Sequence, residues 1–335
     1  MVDLWHHGDR EVGDGLVDLA VNVRVSAPPD WLLARLTDSL STVAAYPDVE
    51  GARSAVAARH GRQASDVLPT AGGAEAFTLL ARAWPTRSPV VVHPQFTEPE
   101  AALLAAGHDV TRVVLDAANG YRLDPRLVPE EADLVVVGNP TNPTSVLHPA
   151  TAIRELVRPG RLVVVDEAFL DAVPGEPESL AAERIRGIAV VRSLTKTWGI
   201  AGLRAGYVLA EPDVVDRLAA VQPPWSVSTP AAVAMAACSE QHAVDEAAAL
   251  ARAAEADRLR LVDGLRGLGV EVAGEPRAPF VLVRVPEGEK VRLALRAAGY
   301  AVRRADTFPG LGPDWLRIAV RSEMDGFLAE LKTLL

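Results

Sequence analysis

Lys196 stands in the run Ser193-Leu-Thr-Lys-Thr-Trp-Gly199, just after the apolar stretch Ile188–Val191. An amine can lose its proton and condense with a carbonyl to give an imine; a guanidinium cannot. That distinction matters in a chain that carries its positive charge on arginine. Three lysines, Lys196, Lys290 and Lys332, stand against 31 arginines. Lys290 and Lys332 lie in polar, amphipathic C-terminal stretches and read as solvated surface residues. Asn142, Asp166 and Arg204 accompany Lys196, with gaps of 24, 30 and 8 residues along the four. Each feature alone is ordinary. An Asn-Pro-Thr turn is usually only a turn, Gly72-Gly73 reads the same way, and an Asp at a strand end is as often a helix cap. Their order and spacing change that reading.

The elements that must position these groups follow from the hydrophobic pattern. From about residue 65, short β-branched runs alternate with longer helical stretches, which predicts βαβ units and a mainly parallel sheet. Strands are predicted at Val90–Val92, Leu134–Val137, Leu162–Val165, Ile188–Val191 and Tyr207–Leu209, and their continuous apolar character suits strands covered on both faces. Helices are predicted near Ala74–Ala83, Glu98–Ala106, Ala150–Leu156 and Pro230–Ala254. Beyond about residue 255 the style changes to α+β, with strands at Pro279–Val285, Ala301–Arg303 and Leu316–Val320 and a helix at Lys290–Ala298. Expected boundaries are an N-terminal segment 1–35 packing with the small domain, a large domain 36–245 and a small domain 246–335. Four predicted strands deliver Phe96, Asn142, Asp166 and Ser193–Lys196 just beyond their C-terminal ends, the edge where open α/β sheets bind ligands.

Composition narrows the classes further. A net charge of −10 with no basic block argues against a nucleic-acid partner. No apolar run approaches the roughly 20 residues of a membrane span, and the polar stretch Met1–Gly8 lacks the apolar core of a signal peptide. A cytoplasmic location is expected. Cys238 is the single cysteine, so neither a disulfide framework nor a thiolate metal cluster is expected within one chain.

The motifs Asn142-Pro-Thr, Asp166-Glu-Ala-Phe169, Ser193-x-x-Lys196 and Gly202-Leu-Arg204-Ala-Gly206 resemble the class I/II aminotransferase family across nearly the whole chain. The resemblance implies the fold type I, pyridoxal-phosphate (PLP)-dependent transferase fold, with a seven-stranded-type sheet in the large domain. It also implies that Lys196 holds PLP as a Schiff base and later moves protons. Asp166 matches the carboxylate that keeps the pyridine nitrogen charged, Asn142 the donor to the ring oxygen, and Phe96 the stacking aromatic. Gly73 and Ala74 match the backbone cup for the phosphate, with Ser193, Thr195 and Arg204 as its side-chain part.

Tyr46-Pro-Asp-Val-Glu-Gly-Ala-Arg53, Phe308-Pro-Gly-Leu311 and Leu316-Arg-Ile-Ala-Val-Arg321 resemble the histidinol-phosphate-aminotransferase branch. There Tyr46 matches a tyrosine that reaches the neighbouring subunit's phosphate, which implies a homodimer, and Arg317 matches the clamp on the substrate carboxylate. Within that branch the favoured resemblance is to the cobalamin-biosynthesis (CobC/CobD-type) L-threonine-O-3-phosphate decarboxylases. It rests on His7-Gly8, Val17–Asn22, Phe169 in place of tyrosine, and the second arginine Arg321. His7, Asn22 and Arg321 are candidates for a substrate phosphate, and Arg303 or Arg304 could also face the pocket. Departures from the family pattern include Ser145 where glycine is usual and Phe169, which cannot donate to the ring oxygen. The expectation is a PLP enzyme for a small, phosphorylated amino acid, a decarboxylase first and a histidinol-phosphate-type aminotransferase as the alternative. A non-catalytic PLP-sensing domain is the remote reading.

Overall fold

The computed structural model describes residues 3–335; Met1 and Val2, the start of the polar N-terminus, lie outside them. Two sheets organise the chain. The first has seven strands in the order Val67–Ala71, Ala205–Leu209, Ile188–Ser193, Leu162–Asp166, Leu134–Gly138, Pro89–His93, Thr111–Val114. All neighbours are parallel except at Ala205–Leu209, which runs antiparallel to both. The four central predicted strands are buried from end to end. Helices cover both faces, and the apolar side chains divide into two clusters, one on each side of the sheet.

The second sheet has five strands, in the order Val17–Leu19, Tyr300–Arg304, Trp315–Ala319, Phe280–Arg284, Glu271–Val272. The N-terminal strand Val17–Leu19 pairs in parallel with Tyr300–Arg304, so the first residues of the chain complete a sheet built from the last. Its own apolar cluster includes Leu19, Leu261, Val281, Ile318 and Phe327.

One expected helix is corrected, and two strands are added to those predicted. The predicted helix Pro230–Ala254 is two helices, Thr229–Ala237 and Gln241–Gly267, because Glu240 adopts extended backbone between them. The second runs without a break past residue 245 and touches both Leu170–Ala172 and Phe280–Arg284. Two strands carried no clear signal. Val67–Ala71 contains Pro69, which argues against a central strand, and it lies at the sheet edge where proline is tolerated. Thr111–Val114 is the opposite edge, with only Val113 buried. No helix among the described residues is long and apolar enough to cross a membrane.

Candidate active site

The C-terminal ends of Pro89–His93, Leu134–Gly138, Leu162–Asp166 and Ile188–Ser193 open on one cavity of about 390 Å³. Phe96, Asn142, Asp166, Ser193, Thr195 and Lys196 all line it. The turns that present them are pinned from behind. Arg192 is buried beside Ser193 and donates to Glu176 at 2.5 Å, with Glu167 at 3.0 Å. Glu167 in turn follows Asp166, so one ion-pair network fixes two adjacent strand ends. Asn139 N donates to the Asp166 carbonyl at 2.8 Å, which ties the asparagine loop to the same place.

Electrostatics separates the acid from the amine. Burial pushes the Asp166 carboxyl up to about 6, against a backbone N–H from Ala168 and the charge of Lys196. Burial also lowers Lys196 to about 8, helped by the cations Arg204 and Arg317 and opposed by Asp166. An amine poised near neutrality beside an enclosed carboxylate is the arrangement carbonyl condensation requires.

One end of the cavity is a cradle of a kind that suits an anion. The helix Gly72–Ala83 begins there and presents Gly73 and Ala74, leaving N-terminal amides free to meet an anion. Ser193 and Thr195 hydroxyls lie 2.7 Å apart in the wall, and Arg204 closes the side. Gly72 has φ +76°, and a Cβ there would sit 2.7 Å from Arg204 Nη2. Gly72→Ala is therefore expected to displace Arg204 and weaken cofactor binding about tenfold, the loss of roughly one charge-assisted hydrogen bond. Equilibrium titration of the apoprotein would check it.

The opposite wall is cationic. Arg317 and Arg303 face each other across paired strands, both buried and both lining the cavity. Arg317 donates to Asn142 Oδ1 at 2.8 Å and to the Ala20 carbonyl. Its Nε has no protein partner. A guanidinium only donates, so its bond assigns the Asn142 oxygen to Arg317 and leaves the amide N–H₂ for the cavity. That is the end able to serve a ring oxygen. Arg303 is held by the His6 carbonyl at 2.6 Å and Thr307 Oγ1 at 2.7 Å; burial lowers it to about 10.

Asn22 is buried with neither side-chain atom partnered, and it lines the cavity. An amide left unsatisfied in this way is costly unless a ligand completes it. His7 also lines the cavity, paired with Glu98 at 2.8 Å and 5.8 Å from the Phe96 ring centroid. One expected residue is elsewhere. Arg321 lies outside the lining, because the strand ends at Ala319; its guanidinium is spent on the carbonyls of Val21 and Val320. Tyr46 is 76% exposed on the surface, stacked on Trp225 at 4.2 Å. Arg304 pairs with Asp306 and does not reach the cavity. Glu98 and His6, which hold His7 and Arg303, escaped sequence reading: the His7–Glu98 contact spans 91 positions.

The residues present fit PLP: a cradle for its phosphate, a buried carboxylate, an amide donor and a poised lysine in one enclosure. When bound, PLP supplies an electron-withdrawing ring that makes the substrate α-carbon acidic. With the group bound, Arg317 would be placed to hold a substrate anion and Lys196 to move a proton at that carbon.

The model of the family "Aminotransferase class I and II" matches residues 14–330. A histidinol-phosphate aminotransferase of Mycobacterium tuberculosis is 50% identical over 97% of this chain and 89% of its own length. A threonine-phosphate decarboxylase of Salmonella typhimurium is 28% identical over 96% of this chain and 92% of its own. Among solved structures, an L-threonine-O-3-phosphate decarboxylase from Porphyromonas gingivalis superposes with a TM-score of 0.82 at 25% identity, covering 94% of this chain and 98% of that one. A histidinol-phosphate aminotransferase from Clostridium acetobutylicum, at 22% identity, shares the fold with a TM-score of 0.84 over 94% and 97% of the two chains. The chain belongs to the class I and II aminotransferase family and is a PLP-dependent enzyme of fold type I.

Proposed function

We propose that this enzyme is a histidinol-phosphate-type aminotransferase. The observation that carries the reading is the 50% identity over 97% of the chain to a relative of that name. Decarboxylase relatives stand at 27% and 28%, which favours the aminotransferase alternative over the decarboxylase reading put first on the sequence motifs. The cavity chemistry suits the choice. Histidinol phosphate bears one amine and one phosphate and no carboxylate, and the paired guanidiniums of Arg317 and Arg303 offer one strongly cationic wall. Threonine phosphate brings two anions, and Arg321, the further arginine expected for it, is turned away.

In this reading Arg317 receives the substrate phosphate, Asn22 completes its polar contacts with substrate, and His7 caps the mouth. The functional unit is a homodimer. Tyr46, with the exposed apolar neighbours Val43 and Trp225, would be covered by the partner subunit and reach that subunit's cofactor phosphate.

The test is a pair of assays. With histidinol phosphate and 2-oxoglutarate, glutamate should form; carbon dioxide release from threonine phosphate without any oxo acid, and no turnover in the first assay, would overturn the reading. Arg317→Lys is expected to raise KM for histidinol phosphate about 10- to 100-fold, because a point charge loses the fork geometry. Steady-state kinetics of the purified variant would check that.

The lowered Lys196 also predicts a pH profile. Only the neutral amine attacks an aldehyde, and its fraction rises through about 8 instead of the ordinary 10.5. Uptake of PLP by the apoprotein should therefore accelerate from pH 6 to about 8 and level off above that, as read by stopped-flow absorbance.

A further inference from the structure

We propose that Ser145 is a positioning residue that locks the Asn142 loop to the five-stranded body, so that the cofactor-facing amide and the substrate-facing guanidinium keep one geometry. Ser145 has φ +64°, a left-handed conformation that disfavours a residue with a Cβ. Glycine would adopt it freely, so the side chain must supply something that offsets the strain. It does so at a junction. Ser145 Oγ accepts from Ala278 N at 2.8 Å and donates to Ala278 O at 3.2 Å, and Arg277 N donates to the Ser145 carbonyl at 2.7 Å. Val146 and Pro276 form a β-bridge beside these bonds. Ser145 is fully buried, as is Ala278, so without the hydroxyl the Ala278 amide would be left without its partner away from water.

The contacts close a ring. Ala278 leads into Phe280, whose ring lies 5.5 Å below the Arg317 guanidinium and is packed edge-on against Phe169 at 5.0 Å. Strand Phe280–Arg284 pairs with Trp315–Ala319, placing Leu282 opposite Arg317. Arg317 then returns to Asn142 Oδ1, three residues before Ser145. A shift of the five-stranded body at Ala278 would therefore move Arg317 relative to Asn142. Ser145 is outside the cavity lining and acts through Asn142 and Arg317, which are in it.

Two substitutions test this in the holoenzyme. Ser145→Gly removes the hydroxyl and the backbone strain together, so folding should be retained. Ser145→Ala removes the hydroxyl and keeps the strain, so it should melt lower than the glycine variant. Both should raise the substrate KM about tenfold, the effect of roughly one lost hydrogen bond, with kcat changed much less and the cofactor absorbance retained. Hydrogen exchange at the Ala278 amide should accelerate about tenfold in both. Unchanged KM in the glycine variant, even with faster exchange, would overturn the proposal, as would loss of cofactor from it. The wild-type enzyme run alongside shows whether histidinol phosphate or threonine phosphate is the substrate to use, so failure of the aminotransferase reading is seen separately, and the exchange measurement needs no substrate.

Discussion

Replacing Lys196 by alanine removes turnover by about 10⁴-fold or more, while the protein stays folded and still binds PLP non-covalently. The magnitude follows from the two tasks that one amine performs, attachment and proton transfer, the second of which alone contributes about 10²- to 10⁴-fold. No other side chain in the lining can form the imine. Among the side chains of the cavity wall, Lys196 is the one amine, and the neighbouring guanidiniums of Arg204 and Arg317 do not form imines. The fold should survive because the Lys196 side chain makes no hydrogen bond or ion pair among the described residues, its one such contact being the backbone bond from Arg24 N to its carbonyl, and Ser193, Thr195 and the Gly72–Ala83 helix would remain to hold a phosphate. Activity assays with circular dichroism and PLP titration would separate these effects. A variant that turned over normally would contradict the assignment.

Asp166→Asn is expected to lower kcat by about 10³-fold, the scale of losing a preorganised electrostatic partner in an enclosed site. Asparagine keeps the volume and a carbonyl acceptor for the Ala168 amide, so the loss isolates charge. The carboxyl sits at the end of a strand whose other four residues are buried, and desolvation already opposes its ionisation. A positively charged ring nitrogen beside it would restore the charged form, each protecting the other. In the apoprotein the sign is reversed. A carboxyl raised from 3.8 to about 6 binds a proton that the unfolded chain has released, so this group makes the apoprotein less stable as pH rises through that interval. Asp166→Asn should remove that part of the pH dependence, which denaturant melts at pH 4 and pH 6 would reveal. Equal kcat in the variant would sink the proposed role of Asp166.

Much of the site was legible because it hangs on buried parallel strands. Four apolar runs could be located from composition alone, and whatever follows a parallel strand at its C-terminal end shares one edge of the sheet. Phe96, Asn142, Asp166 and Lys196 therefore came together in the structure as the motif order implied. Edges were harder. Val67–Ala71 carries a proline and Thr111–Val114 exposes most of its residues, so neither shows the pattern of a core strand. The break at Glu240 was hidden in an alanine-rich stretch where both sides have the same helical composition.

Side-chain direction beyond the strand ends was least legible. Arg317 and Arg321 differ by four positions and look equivalent in sequence, yet one lies within the strand and aims at the cavity while the other lies past its end and binds carbonyls. His7 needs Glu98, and Arg303 needs the carbonyl of His6; both pairs join segments far apart in the chain. Ser145 looked like a departure from a family glycine. Its meaning rests on Ala278, a residue with no side-chain chemistry and no motif.

Lys196 alone is expected to carry the cofactor, and borohydride reduction of the holoenzyme followed by peptide mass mapping would locate the attachment. The expected result is a single pyridoxyl-phosphate adduct on the peptide containing Ser193–Gly199, with none on Lys290 or Lys332; an adduct on either of those lysines, or no adduct on a protein that still turns over, would contradict it.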